Sequence, residues 1–172
     1  LNCGADNIMT KGSVNIMLEI LENNQYLGVG AITRLKYVNN YLQKALDTYK
    51  RYRFISGDTN IIGTPTLFAR KTLIDNPYKP ERSSSDDEEL CNRLIKKYQR
   101  NFYISKTTVF EHGYDTLKEI TKRWRMYGIS DYEVYEDYKK NWNICRKFYS
   151  ISHPVRKDFF QVFLKCNLNE KL

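Results

Sequence analysis

Four carboxylates stand in a row in the stretch SSSDDEELCNRL, at Asp86, Asp87, Glu88 and Glu89. Leu90, Leu94, Ile95 and Tyr98 then recur at helical spacing, which predicts a helix over about 86–99 with all four acids in its first turn. Two kinds of chemistry fit that arrangement. Serine caps a helix well and negative charge is stabilised at a helix N-terminus, so the cluster can serve the helix alone. A carboxylate held there can also act as a general base, taking the proton from a hydroxyl as its oxygen attacks. Either way, the segments on both sides must hold the acidic turn in place.

The chain has 172 residues, room for one domain with a genuine core or for a large piece of a bigger one. Its charged fraction of 28% is ordinary for a water-soluble protein. No apolar run reaches bilayer-spanning length and no signal-peptide pattern opens it. Cys3, Cys91, Cys145 and Cys166 are scattered, with no CxxC pair and no histidine at zinc-finger spacing. They are expected to be reduced, mostly buried thiols in a cytoplasmic protein.

A formal charge of +8 and a pI near 9.2 favour an anionic partner: nucleic acid, a membrane surface or a phosphorylated small molecule. Fourteen tyrosines suit base stacking, but no RNP, helix-turn-helix, KH or P-loop pattern accompanies them; charge alone leaves the partner open, although no nucleic acid is expected.

Helix and strand signals alternate along the chain. Residues 10–24 predict a helix with Val14, Met17, Leu18 and Leu21 on one face and Thr10 as its cap, and 26–32 a buried strand. A second helix is predicted over 38–52. Residues 60–70 read as a strand broken at Gly63, Thr64 and Pro65, and the proline places it at a sheet edge or bend. One helical turn is predicted over 71–76, ahead of the loop PYKPERSSS and the acidic helix. Residues 101–111 predict a strand, and 116–128 a basic helix closed by Gly128. Ser130 and Glu133, at capping-box spacing, open an aromatic helix over 130–148, and 155–165 is a last amphipathic piece. The fold class is therefore α/β, with a mixed sheet flanked by helices and a helical C-terminal tail.

Three stretches in order resemble the second half of a family-2 glycosyltransferase with the GT-A fold. LNCGADNIMTKGSVNIMLEILENNQYLGVG is similar to the family's DxD-like strand end, helix and short strand. GTPTLFARKTLIDNPYKPERSSSDDEELCNRL is similar to its Gly-rich strand, variable loop and E-D-x-D-L-x-x-R signature. TTVFEHGYDTLKEITKRWRMYG is similar to a strand ending near a histidine and followed by a basic helix. On this resemblance residues 1–128 are the acceptor-side part of a GT-A domain and 129–172 a helical extension, with the family's donor-binding half supplied either upstream of Leu1 in the native chain or by another segment.

The resemblance implies a sugar transferred from a nucleotide-sugar, a UDP-sugar foremost, to a hydroxyl on a glycan or lipid-linked acceptor, with inversion. Asp87 would be the general base, and Asp6 with His112 would hold Mn²⁺ or Mg²⁺. Gly63, Thr64, Asp86 and Arg93 would line the substrates. Gly4 stands where the motif's first acid is usual. Each position has a plainer reading. Asp6 can be a turn residue, His112 a hydrogen-bonded surface residue, and Gly63 with Thr64 a β-bulge. Arg93 can form an ion pair that holds the acidic turn. Lys118, Lys122, Arg123 and Arg125 can be a solvated helix face, or a site for diphosphate or a lipid-linked acceptor. The basic, aromatic C-terminal helices, 155–165 above all, suit packing or peripheral membrane contact. Two rival functions stand beside the transferase: a catalytically inactive GT-A-like binding module, motivated by Gly4, and a basic nucleic-acid-binding protein, motivated by charge.

Overall fold

The computed structural model describes residues 1–23, 25–80, 86–152, 155, 160 and 162–166. The protein is mixed α/β, and it divides into two compact units. The first comprises Leu1–Tyr37 and Ile55–Gly113, the second Val38–Phe54 and Tyr114–Leu172.

The first unit holds the sheet. Its strands are β1 (Ile8–Met9), β2 (Gly28–Leu35), β3 (Gly57–Thr59), β4 (Thr66–Phe68) and β5 (Phe102–Glu111). β5 is central. It pairs parallel with β2 on one side and antiparallel with β1 and β3 at its two ends on the other. β2 in turn pairs antiparallel with β4, giving the order β1-β5-β2-β4. The sheet is mixed, and β4 occupies an edge, where a strand preceded by Pro65 loses no ladder hydrogen bond. Gly30 in β2 lies close under Ile62: a methyl group there would stand 2.8 Å from Ile62 Cδ1, so that side chain would have to shift.

Three helices complete this unit: α1 (Ser13–Asn23), α3 (Arg70–Asp75) and α4 (Asp86–Tyr98), with α2 (Tyr41–Arg53) belonging to the other. Met17 of α1 packs with Val29, Ala31 and Val109 in one apolar cluster. Leu90, Cys91 and Leu94 of α4 pack with Leu27, Ile62, Phe68 and Phe102 in a second. The i, i+4 spacing of Leu90 and Leu94 therefore seats α4 on the strands that lead to the acidic turn. Thr10 does not cap α1 with its side chain as expected. Its hydroxyl donates to the Thr108 carbonyl of β5, and its own carbonyl accepts from Ser13. The serines 83–85, expected to cap α4, lie outside the described residues.

The second unit contains α2, α5 (Leu117–Tyr138) and α6 (Ile144–Ile151). α2 is capped by Asn40, whose side chain accepts from the Gln43 amide. α5 corrects the sequence expectation: Gly128 does not end a helix and Ser130 does not start one. Thr116 and Glu119 form the capping box, and the helix runs unbroken through both positions for 22 residues. Ser130 is fully buried instead of facing water as a cap. The expected division of the chain after residue 128 thus falls inside α5. The predicted helix over 130–148 is divided among the end of α5, a 3-10 turn at Lys139–Asn141 and α6. Much of the predicted piece over 155–165 lies outside the described residues.

The thiols were expected to be mostly buried, but only Cys91 is; Cys3 and Cys145 are exposed. Among the described residues, no helix is long and apolar enough to cross a membrane.

Candidate active site

The first turn of α4 meets the loop ahead of β4 at a single point. Cys91, one helical turn beyond Asp87, exchanges hydrogen bonds with Ile62. The Ile62 amide donates to its Sγ at 3.4 Å, and the thiol donates to the Ile62 carbonyl at 3.6 Å. Burial pushes the Cys91 thiol up to about 12, so it acts as a neutral packing group and not a nucleophile. With Ile62 fixed, the next residue, Gly63, lies against the Asp87 carboxylate: a methyl at Gly63 would stand 3.2 Å from Asp87 Oδ2. The peptide between Thr64 and Pro65 is cis, and the Thr66 hydroxyl closes the loop by donating to the Gly63 carbonyl.

The other carboxylate oxygen of Asp87 is held by two residues that the sequence did not single out. The Tyr78 hydroxyl donates to Asp87 Oδ1 at 3.1 Å, and Asn2 Nδ2 donates to the same hydroxyl at 2.8 Å. Asn2 is itself fixed by paired backbone bonds to Thr66, both 2.8 Å long. The relay from Asn2 through Tyr78 to Asp87 therefore joins the N-terminal segment, the loop after α3 and the start of α4. Tyr78 lies in the loop PYKPERSSS, whose composition marks a connector and says nothing of which side chain turns inward.

Burial pushes Asp87 up from the usual carboxylate value to about 6, and the neighbouring Asp86 charge adds to the rise, while the Tyr78 hydrogen bond opposes it. Burial and the charge of Asp87 push the Tyr78 phenol higher still, so it stays protonated and donates. A partly buried carboxyl poised near neutral pH beside the exposed Gly63 has the properties of a general base.

Glu89, two positions on, is different. Its side chain is 2% exposed and lies 2.9 Å from Lys79 Nζ and 3.1 Å from Arg93 Nη2. Arg93 donates through both Nε and Nη2 to its two oxygens, and through Nη2 to the Pro77 carbonyl at 2.8 Å. Burial alone would raise the Glu89 carboxyl, but the hydrogen bonds and charges of Arg93 and Lys79 outweigh it and hold the carboxyl below its ordinary value. Arg93 thus takes the ion-pair role and ties α4 to the loop carrying Tyr78. The i, i+4 spacing of Glu89 and Arg93 was the signal for this pair.

Asp6 and Thr64 meet at Gly4. A methyl on Gly4 would stand 3.1 Å from Asp6 Oδ1 and 3.2 Å from Thr64 Oγ1. Asn7, not Asp6, closes the turn, since its side chain accepts from the Gly4 amide at 2.8 Å. The Asp6 carboxylate is left exposed.

His112 follows β5, and the antiparallel register pairs Ile8 with Phe110. Asp6 precedes Ile8 by two residues and His112 follows Phe110 by two, so both lie at the same end of that strand pair. His112 is exposed and its ring is tilted against Tyr37, centroids 6.0 Å apart.

Among the described residues no group of three or more His, Cys, Asp or Glu side chains is placed to hold a metal ion. The donors at hand are one carboxylate and one imidazole, which fits an ion completed by water and substrate phosphates and not an all-protein cage.

The structure therefore brings together Asp86, Asp87 and Gly63, and brings Asp6 to Thr64. It turns Arg93 away to Glu89, and it puts His112 at the Asp6 end of the sheet. No family model matches the chain, and no curated protein or solved structure matches it either.

Proposed function

We propose that the chain is the acceptor-side part of a GT-A-type glycosyltransferase domain that moves a sugar from a nucleotide-sugar, a UDP-sugar foremost, to a hydroxyl acceptor with inversion. The observation that carries this reading is the environment of Asp87. It is a carboxylate raised to about 6, oriented by a tyrosine hydroxyl, with its second oxygen facing Gly63.

In this mechanism the acceptor hydroxyl, on a glycan or a lipid-linked molecule, approaches over Gly63. Asp87 Oδ2 takes its proton as the oxygen attacks the anomeric carbon, and the nucleoside diphosphate departs from the opposite face. Tyr78 keeps Oδ1 occupied, so the free lone pairs of Oδ2 are directed to the acceptor. Asp86 keeps Asp87 basic by its charge. Gly63 and Thr64 admit the sugar close to the backbone, while Arg93 acts through Glu89 to keep the turn rigid. A divalent ion held by Asp6 and His112, Mn²⁺ or Mg²⁺, would offset the charge developing on the departing diphosphate when bound.

A second reading, an inactive binding module of the same architecture, is favoured by Gly4. A side chain there would crowd Asp6, Asn7 and Thr64, whose side chains would have to give way to admit a second acid.

Titration calorimetry of UDP into the full-length protein, with and without Mn²⁺, tests the transferase reading. The expected result is Mn²⁺-dependent binding that Asp6→Asn abolishes and Asp87→Asn leaves intact. Failure to bind any nucleoside diphosphate, or binding indifferent to both metal and Asp6, contradicts it.

A further inference from the structure

The charge of this protein is concentrated in one of its two units. The second unit carries sixteen Lys and Arg against nine Asp and Glu, and the first twelve against eleven, so +7 of the +8 resides in the second. Two helices of that unit display the excess alongside unburied apolar groups. On α6, Ile144, Phe148 and Ile151 recur at i, i+4 and i+7, an arc of about 60° at the helical repeat. Such a stripe ordinarily faces a core. Here it faces solvent, with exposures of 82%, 74% and 72%.

α5 repeats the same spacing with cations. Lys118, Lys122 and Arg125 lie at i, i+4 and i+7, all exposed, and the stripe continues into Ile129 and Tyr132, which are 54% and 61% exposed. Exposed apolar side chains at this density on two helices mark a docking surface, and the cations in line with Ile129 and Tyr132 on α5 select an anionic one.

We propose that α5 and α6 dock the protein peripherally on a membrane surface rich in anionic phospholipid. The stripe from Ile144 to Ile151 enters the boundary between headgroups and acyl chains, and Lys118, Lys122 and Arg125 engage lipid phosphates. A bilayer supplies both complements at once, hydrocarbon for the Ile and Phe side chains and fixed negative charge for the Lys and Arg side chains. Because no described helix can span a bilayer, attachment is interfacial and reversible. The inference does not depend on the transferase reading.

Vesicle co-sedimentation with the full-length protein tests it, using pure phosphatidylcholine and phosphatidylcholine with about 30% phosphatidylserine. The expected result is binding to the anionic vesicles only. Lys118→Glu, Lys122→Glu and Arg125→Glu together should weaken it by roughly tenfold or more, as expected for basic residues at an anionic surface. Phe148→Asp with Ile151→Asp should weaken it comparably while circular dichroism stays unchanged, since both side chains are exposed.

Three results overturn the proposal. The first is absence of binding to anionic vesicles at physiological salt. The second is vesicle binding that the Phe148→Asp, Ile151→Asp variant leaves intact. The third is a protein whose stripe is covered in solution by a second copy, or whose basic face binds RNA in preference to vesicles.

Discussion

The Tyr78 hydroxyl donates to Asp87 Oδ1 at 3.1 Å while Asn2 donates to that same hydroxyl, so one oxygen of the carboxylate is fixed from behind and the other is left facing Gly63. Tyr78→Phe removes the interaction that opposes the rise in the Asp87 pKa. The carboxyl is expected to titrate above its present value of about 6. Carbon-detected NMR titration of the Asp87 side chain measures this, and the acidic limb of any pH–rate profile should move up with it.

The pH dependence of stability has a definite sign at this residue. Asp87 is raised in the folded state from 3.8 to about 6, so its contribution is fully present below pH 3.8 and is lost as pH rises through about 6. Asp87→Asn cannot incur that loss. The variant should gain on the native protein across this window, by on the order of 3 kcal/mol at pH 7. Urea denaturation at pH 4 and pH 7 measures the difference. A difference between variant and native protein that is the same at pH 4 and pH 7 would contradict the raised carboxyl.

Glu89 behaves in the opposite sense. Its lowered carboxyl contributes stability above the ordinary value of 4.5 that is lost as pH falls through the folded value below it. Arg93→Ala leaves that buried charge with a single, exposed partner and should cost about 3 kcal/mol or more. Lys79→Ala, at a side chain 43% exposed, should cost about 1 kcal/mol or less. Equal losses from the two variants would show that the ion pair does not anchor α4 in the way its geometry indicates.

Gly128 lies inside α5 in helical conformation, and a methyl there meets nothing within 4 Å. Gly128→Ala should therefore stabilise the protein by about 1 kcal/mol, the helix-propensity difference between the two residues. Thermal denaturation followed at 222 nm detects it. Destabilisation would mean that the helix breaks at the glycine after all.

The same residue shows where the sequence misleads. Gly128 followed by Ser130 and Glu133 has the local chemistry of a helix end and a new start, yet Ser130 is buried and the chain continues through. Tertiary packing overrode a stop signal worth about 1 kcal/mol. By contrast α4 was legible to within a residue. Its acids suit the helix dipole, and Leu90 and Leu94 bury on one face, so local preference and packing agree.

The placement of β4 at a sheet edge was legible from Pro65 alone. Asp87 stood out in the sequence through its acidic neighbours, but the residues that hold its side chain did not. Asn2 and Tyr78 are 76 residues apart and sit in segments without periodicity, where nothing in a single sequence reports which side chain turns inward. Parallel pairing of β2 with β5 across more than sixty intervening residues is likewise invisible to local pattern.

The central claim is that Asp87 takes a proton from an acceptor hydroxyl during sugar transfer. Its most direct measurement is nucleoside diphosphate release by the full-length protein from a panel of UDP- and GDP-sugars, with Mn²⁺ and hydroxyl acceptors, comparing the native protein with Asp87→Asn. Acceptor-dependent release should fall by roughly 10²- to 10⁴-fold in the variant, the usual contribution of a general base, with nucleotide binding intact. Release that Asp87→Asn leaves unchanged would contradict it, and so would the absence of release from every donor.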